Sequence, residues 1–360
     1  VGAAALGAAL VMVGLELTLR LAPAGGGVLF RRVDAANPVL RGAPGSVWVH
    51  SLGWSFFNPH RGRLNNEGFN DPQDYVRGAP VIAVLGDSYV EATTVAYADS
   101  LQARLRGALA PCPRVYSFGR SGANPADYVA YLRWAQRRYD VAGAVVLISA
   151  GDLEEAATPR EGGNYYVRAD DGAHRIAVMN YAGPGPLHHA VNASSLARYL
   201  LNNLQFNPIT ASHALGRTSA PSRPVHADRD WIVPAFLADL RASLPPERVT
   251  LVFDADRRAI ADGAAPAYPP ERARMIADAR LSGFTVVDLD PAFRNQRARD
   301  ARKVDYAPLD GHWNALGHQV AAAAVVDAWR AAGSWRHAAA CPGPQFASPS
   351  DATHAPSGPR

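Results

Sequence analysis

The sequence predicts an α/β protein built on a parallel sheet covered on both faces, and three observations carry that prediction. An unbroken apolar run at residues 81–85 enters Gly86-Asp87-Ser88, which is how a buried parallel strand hands over to a loop. Further strand-length apolar runs recur at 115–118, 144–149, 249–253 and 285–289. Helical spacing marks 99–109, 126–138 and 271–281 between them, and 317–331 after the last run, so strands and helices alternate as in repeated βαβ units. A chain of 360 residues with 48% hydrophobic residues can bury one large core, and one domain with insertions is the expected organisation.

Residues 1–15 hold no charge and continue through Leu15-Glu16-Leu17-Thr18-Leu19-Arg20-Leu21, close to the ~20 residues that cross a bilayer. Glu16 and Arg20 lie one turn apart and can pair near one end of the span. Residues 1–22 are therefore expected to be a signal-anchor helix that meets a membrane, with the rest of the chain periplasmic or extracellular. A cleaved signal peptide and secretion is the alternative, and a buried soluble helix stands third. Residues 23–50, with Pro23, Gly25 to Gly27, Pro38 and Pro44, read as a linker. The domain is expected over 51–336. In it, 52–70 is an aromatic, turn-rich layer that either covers the sheet edge or meets substrate.

The alternation breaks over about 153–247, which reads as one large insertion. It is expected to hold a hairpin over 165–179, turning at Ala169-Asp170-Asp171-Gly172, and helices over 186–204 and 231–244. Residues 337–360, rich in Ala, Pro, Ser and Gly, have no periodic apolar face and read as a disordered tail. Cys112 and Cys341 either pair or stand as two free thiols. His188 and His189 lack partners at ligand spacing, so no metal is expected. The net charge of +4 comes almost wholly from arginine, Lys303 being the sole lysine. No basic cluster interleaved with aromatics appears, so nucleic acid is not implied.

Ser88 falls where a strand's carboxyl end meets a loop, the edge at which open α/β sheets bind ligands. A serine hydroxyl is a weak nucleophile until a base takes its proton. In Leu309-Asp310-Gly311-His312-Trp313-Asn314-Ala315-Leu316-Gly317-His318, His312 can be that base and Asp310, two residues away in an extended loop, can orient it. His318 is the rival base, set in the first turn of the last helix.

Val84-Leu85-Gly86-Asp87-Ser88-Tyr89 together with Asp310-Gly311-His312 resembles the SGNH/GDSL hydrolase superfamily. More narrowly, Leu15 to Arg20 and Asn65 to Phe69, ahead of the Gly-Asp-Ser strand, are similar to its bacterial membrane-anchored branch. The Asp-x-His spacing is similar to that of the alginate O-acetyltransferases. The resemblance runs from residue 15 to about 330. It implies a flavodoxin-like three-layer α/β/α sandwich with a parallel central sheet, into which the large insertion is set, and action on esters, often the O-acyl groups of envelope or secreted carbohydrate; no cofactor is expected.

The resemblance also implies an oxyanion site. Its donors would be the backbone N–H groups of Ser88 and Gly122, with Gly119 the other register for the glycine. The family's third block carries an asparagine, but Ile148-Ser149-Ala150-Gly151-Asp152-Leu153 has none. Gly151 or Asp152 takes its place, depending on register, and Asn124 is a substitute donor. An ionised carboxylate cannot donate, so Asp152 could serve only when protonated. The family's Gly-Phe-Arg is Gly68-Phe69-Asn70 here. The expected function is a serine esterase acting on an O-acylated carbohydrate or small ester. The alternatives are a polysaccharide O-acyltransferase and a degenerate, membrane-anchored carbohydrate-binding protein.

Overall fold

The computed structural model describes residues 2–206, 230–268 and 270–333. In chain order the elements that matter are helix α1 (Gly2–Arg20), strands β1 (Val47–Leu52), β2 (Phe57–Arg63) and β3 (Pro80–Gly86), helices α2 (Ser88–Glu91) and α3 (Leu101–Leu109), and strand β4 (Arg114–Gly119). Next come α4 (Pro125–Gln136), β5 (Asp140–Ile148), α5 (Asp152–Glu155), the hairpin β6 (Asn164–Arg168) and β7 (His174–Val178), and α6 (Pro186–Ala193) and α7 (Ser195–Arg198). The chain continues through α8 (Ile232–Ser243), β8 (Val249–Phe253), α9 (Arg257–Asp262), α10 (Pro270–Leu281), β9 (Thr285–Asp288), α11 (Leu289–Arg299), β10 (Asp305–Tyr306), β11 (Asp310–Trp313) and α12 (Ala315–Ala332).

Five strands form one parallel sheet in the order β4-β3-β5-β8-β9. Counted along the sheet's own strands this is 2-1-3-4-5, the flavodoxin-like order, whose ligand crevice lies where the order reverses, between β3 and β5. Alternation along β3 sorts the core into two layers. Val81, Ala83 and Leu85 join Phe118, Trp134, Phe236 and Leu240 on one side, while Ile82 and Val84 join Leu101, Leu105, Phe293 and Trp329 on the other. Helices α4 and α8 therefore cover one face and α3, α11 and α12 the opposite face, giving the three-layer sandwich with a parallel central sheet that the sequence predicts.

Four departures from the sequence reading have physical causes. Residues 23–50 are no free linker: Ala24, Val33, Val39, Leu40 and Trp48 are buried, and bridges join Gly26 to Val49, Phe30 to Gly42 and Val33 to Tyr181. Their prolines and glycines mark turns pressed onto the domain. The aromatic layer at 52–70 includes most of the antiparallel hairpin β1–β2. Helix α11 was hidden because only Leu289 and Phe293 of its residues are buried, too few to mark a period. The insertion contains the hairpin β6–β7 as expected, but α8 within it packs on the sheet as the crossover to β8. Cys112 is disulfide-bonded. Cys341 and the tail at 337–360 lie outside the described residues. Among those residues no His/Cys/Asp/Glu group could hold a metal ion.

Helix α1 is 19 residues long and is long and apolar enough to cross a membrane. Its Glu16 carboxylate pairs with Arg20 at 2.9 Å and accepts from Ser194 Oγ and the N–H groups of Ser195 and Leu196 at the start of α7.

Candidate active site

The strand β3 ends at Gly86, where a Cβ would meet Val90 Cγ2 at 2.5 Å, and β4 ends at Gly119, where a Cβ would meet the Glu91 nitrogen at 2.4 Å. Both glycines let the short helix α2 lie directly on the strand ends. Asp87 is its N-cap and accepts from the Tyr89 N–H at 3.0 Å, which leaves Ser88 at the first helical position on the carboxyl edge. Asn70 accepts from Trp48 Nε1 at 3.1 Å and donates to the Glu91 carbonyl at 2.6 Å. Standing where the resemblance has arginine, Asn70 is committed to holding the far end of α2.

The other half of the site comes from β11. His312 Nε2 lies 2.7 Å from Ser88 Oγ, and His312 Nδ1 lies 2.5 Å from Asp310 Oδ1, which also accepts from the His312 N–H at 3.0 Å. Burial, the largest single influence, pushes the Asp310 carboxyl up, but the hydrogen bonds and charge of His312 together with the charge of His50 outweigh it and hold the group below its ordinary range. Ser88, His312 and Asp310 thus form one hydrogen-bonded chain. His318 is not part of it. Its ring is buried, its Nδ1 accepts from the Leu101 N–H at 3.2 Å to cap α3, and burial lowers its pKa to about 3.

Residues that sequence reasoning missed hold β11 in place. The Gly311 carbonyl accepts from Tyr89 OH at 3.0 Å and from Arg257 Nη1. Arg257 also pairs with Asp254 at 3.1 Å and Asp305 at 3.3 Å, and Asp254 accepts from Trp313 Nε1 at 3.0 Å. Tyr89 directly follows the nucleophile, and its ring packs 5.1 Å from that of His312. An arginine just after a strand end was the only signal for Arg257, and such arginines are common.

The oxyanion candidates divide. The N–H groups of Ser88 and Gly122 donate to no acceptor among the described residues. Gly122 takes a φ of +71°, and a Cβ there would stand 2.9 Å from Arg160 Nη1, so its turn favours glycine. Glu91 ties that turn to α2 by accepting from Ser121 N–H at 2.8 Å. Gly119 instead serves the close packing of α2.

Asn124 corrects an expectation: it caps α4, accepting from the Ala126 and Asp127 N–H groups, and its Nδ2 donates to the Asn164 carbonyl at 3.1 Å and to the Glu155 carbonyl at 3.5 Å, so both of its N–H groups are directed at backbone rather than at an oxyanion. Asp152 corrects another. Its Oδ2 accepts from Ser149 N–H at 2.8 Å and Tyr128 OH at 2.9 Å, and its Oδ1 lies 2.8 Å from Ser149 Oγ. Ser149 Oγ is also 2.8 Å from Asp87 Oδ2. One hydroxyl proton cannot serve two ionised carboxylates, so one of the pair is protonated. Burial, then the charge of Asp87, pushes Asp152 well up, and burial raises Asp87 as well. Both Asp152 oxygens are thus engaged by Ser149 and Tyr128 rather than turned to an oxyanion. Gly151, exposed at φ +96° with open space around a Cβ, is the outward-facing residue of this turn.

No family model and no curated protein matches the chain. Among solved structures it is similar to an alpha/beta hydrolase enzyme from the metagenome of Lake Arreo, Spain, at 16% identity and TM-score 0.37, covering 72% of this chain and 97% of that one. A lipolytic G-D-S-L family protein from Veillonella parvula matches at 11% identity and TM-score 0.36, covering 69% and 97%. The lipase Lip_vut3 from a goat rumen metagenome matches at 12% identity and TM-score 0.35, covering 72% and 99%. At these scores the likenesses carry no weight for activity. The chain's own strand order agrees with the fold that its motifs imply, and its geometry brings Ser88, His312 and Asp310 together.

Proposed function

We propose that the protein is a serine esterase of the SGNH/GDSL type that cleaves O-acyl groups, with envelope or secreted carbohydrate as the substrate class. The observation that carries this reading is the contact of His312 Nε2 with Ser88 Oγ at 2.7 Å while Asp310 occupies the other ring nitrogen. Ser88 Oγ attacks the ester carbonyl as His312 takes its proton, and the N–H groups of Ser88 and Gly122 meet the developing oxyanion. His312 then gives the proton to the departing alcohol, leaving an acyl-enzyme. Water, deprotonated by His312, releases the acid and restores Ser88; a sugar hydroxyl in its place would make the reaction an acyl transfer. An intact, hydrogen-bonded triad favours an enzyme over a degenerate binding protein. The carbohydrate assignment rests on the motif resemblance and on α1, which suits a site held beside a membrane.

A fluorophosphonate probe is expected to label the native protein at Ser88. Ser88→Ala is expected to abolish labelling and to cut kcat on p-nitrophenyl acetate by ~10⁴-fold or more. Absence of a Ser88 adduct on folded native protein would remove the enzyme reading and leave the binding protein.

A further inference from the structure

A second histidine stands behind the triad. His50 lies on β1, and its Nε2 is 4.0 Å from Asp310 Oδ2, the carboxylate oxygen that His312 does not use. Both atoms are buried, and neither has a hydrogen-bond partner among the described residues. A buried donor or acceptor left unpaired costs ~1–3 kcal/mol. Two such atoms facing each other across one short gap satisfy both needs by closing it.

The hairpin is shaped to present this ring. The ladder pairs His50 with His60 and then Leu52 with Phe57, so β2 carries one extra residue at that point, a bulge of the kind that re-aims side chains beside active sites. Neighbouring Ser51 is pinned from the insertion: Asn203 Nδ2 donates to its carbonyl at 3.1 Å and to its Oγ at 2.7 Å. The titratable groups facing His50 are Asp310 and His312 from β11 and His60 from β2. Burial lowers the pKa of His50 to about 4, so at neutral pH the ring is neutral and offers one N–H.

We propose that His50 is a positioning residue that donates Nε2–H to Asp310 Oδ2, so that the carboxylate presents Oδ1 to His312 and the reactive chain runs His50, Asp310, His312, Ser88. The proposal rests on the esterase reading for its kinetic consequence, but the contact itself can be read without activity. An Asp310 fixed at both oxygens holds His312 in the tautomer with Nε2 free to take the Ser88 proton. With only one oxygen held, the carboxylate can swing and misalign the base.

The test uses the whole chain in two arms. In ¹⁵N-resolved imidazole spectra of the native protein at pH 7, assigned by loss of signals in His50→Gln, His50 is expected as the Nε2–H tautomer; the Nδ1–H tautomer overturns the proposal. On p-nitrophenyl acetate, His50→Leu is expected to lower kcat roughly 10- to 100-fold with KM unchanged, and His50→Gln, which keeps a donor, to recover most of it. Leu within 2-fold of native, or Leu and Gln equally impaired, also overturns it. If Ser88 forms no probe adduct, the esterase reading falls while the tautomer still decides the contact. If the Leu variant does not fold, the spectra of the native chain carry the decision.

Discussion

Asp152 sits where the resemblance calls for a neutral amide donor, and its surroundings make a specific demand on its protonation. Its raised pKa means the folded state binds the proton more tightly than the unfolded chain, whose carboxyl titrates near 3.8. The stability that proton supplies is therefore complete below pH 3.8 and declines as pH rises towards the folded value. Asp152→Asn removes that dependence: its Oδ1 can accept from Ser149 N–H and Tyr128 OH, and its Nδ2 can donate to Ser149 Oγ. The variant is expected to match the native protein below pH 3.8 and to exceed it at pH 7, with a gain in Tm of roughly 2 °C or more. A Tm difference that does not change with pH contradicts the protonated dyad. Because the side chain faces inward, kcat is expected to stay within about 3-fold, not to rise as restoring an oxyanion donor would make it. Ser88, Asp310 and His312 could be read from the sequence because each lies in a short motif whose spacing sets its geometry. Asn124 and Asp152 misled because the direction of a side chain at a turn depends on what packs beneath it. His50 gave no signal, since its partner lies 260 positions away in sequence.

At the scale of elements, the short strand β11 has, among the described residues, only the two-residue β10 as ladder partner, so side chains must hold it against α2. Arg257 does most of this, reaching Gly311, Asp254, Asp305 and Tyr89 from a largely buried position. Arg257→Met keeps much of the apolar volume but leaves the buried Asp254 carboxylate without its cation. It is expected to cost about 3–5 kcal/mol in urea unfolding and to weaken Ser88 labelling along with it. A loss under about 1 kcal/mol would mean that Trp313 and the surrounding backbone suffice to hold the strand. The five sheet strands were legible because strands buried on both faces read as continuous apolar runs. The hairpin β1–β2 was not: β2 reads Phe57-Asn58-Pro59-His60-Arg61-Gly62-Arg63, with Asn58 at φ +53° and a proline inside the strand. Its pairing is decided by the domain it lies on, as with Asn58 Nδ2 donating to the Thr94 carbonyl at 2.8 Å.

For the whole molecule, the strand order puts the carboxyl ends of β3, β4 and β5 side by side at the sheet's switch point, so Ser88, Gly122 and the Ser149–Asp152 turn converge there however long the insertion between β5 and β8. That insertion also reaches the other end of the chain, because α7 receives the Glu16 carboxylate from α1. We propose that α1 anchors the protein in a membrane, and the Glu16 contacts then orient the domain on it. Deleting residues 1–22 removes no residue of the sheet or of the triad. The shortened chain is expected to be soluble, to keep Ser88 labelling within about 2-fold, and to stop floating with liposomes, whereas the full chain floats. Loss of the Glu16 carboxylate leaves the Ser195 and Leu196 N–H groups without that partner, so faster amide exchange is expected at α7 while β3 and β5 stay protected. A full chain recovered in the soluble fraction would refute the anchor, and unchanged exchange at α7 would show that Glu16 does not tie the anchor to the domain.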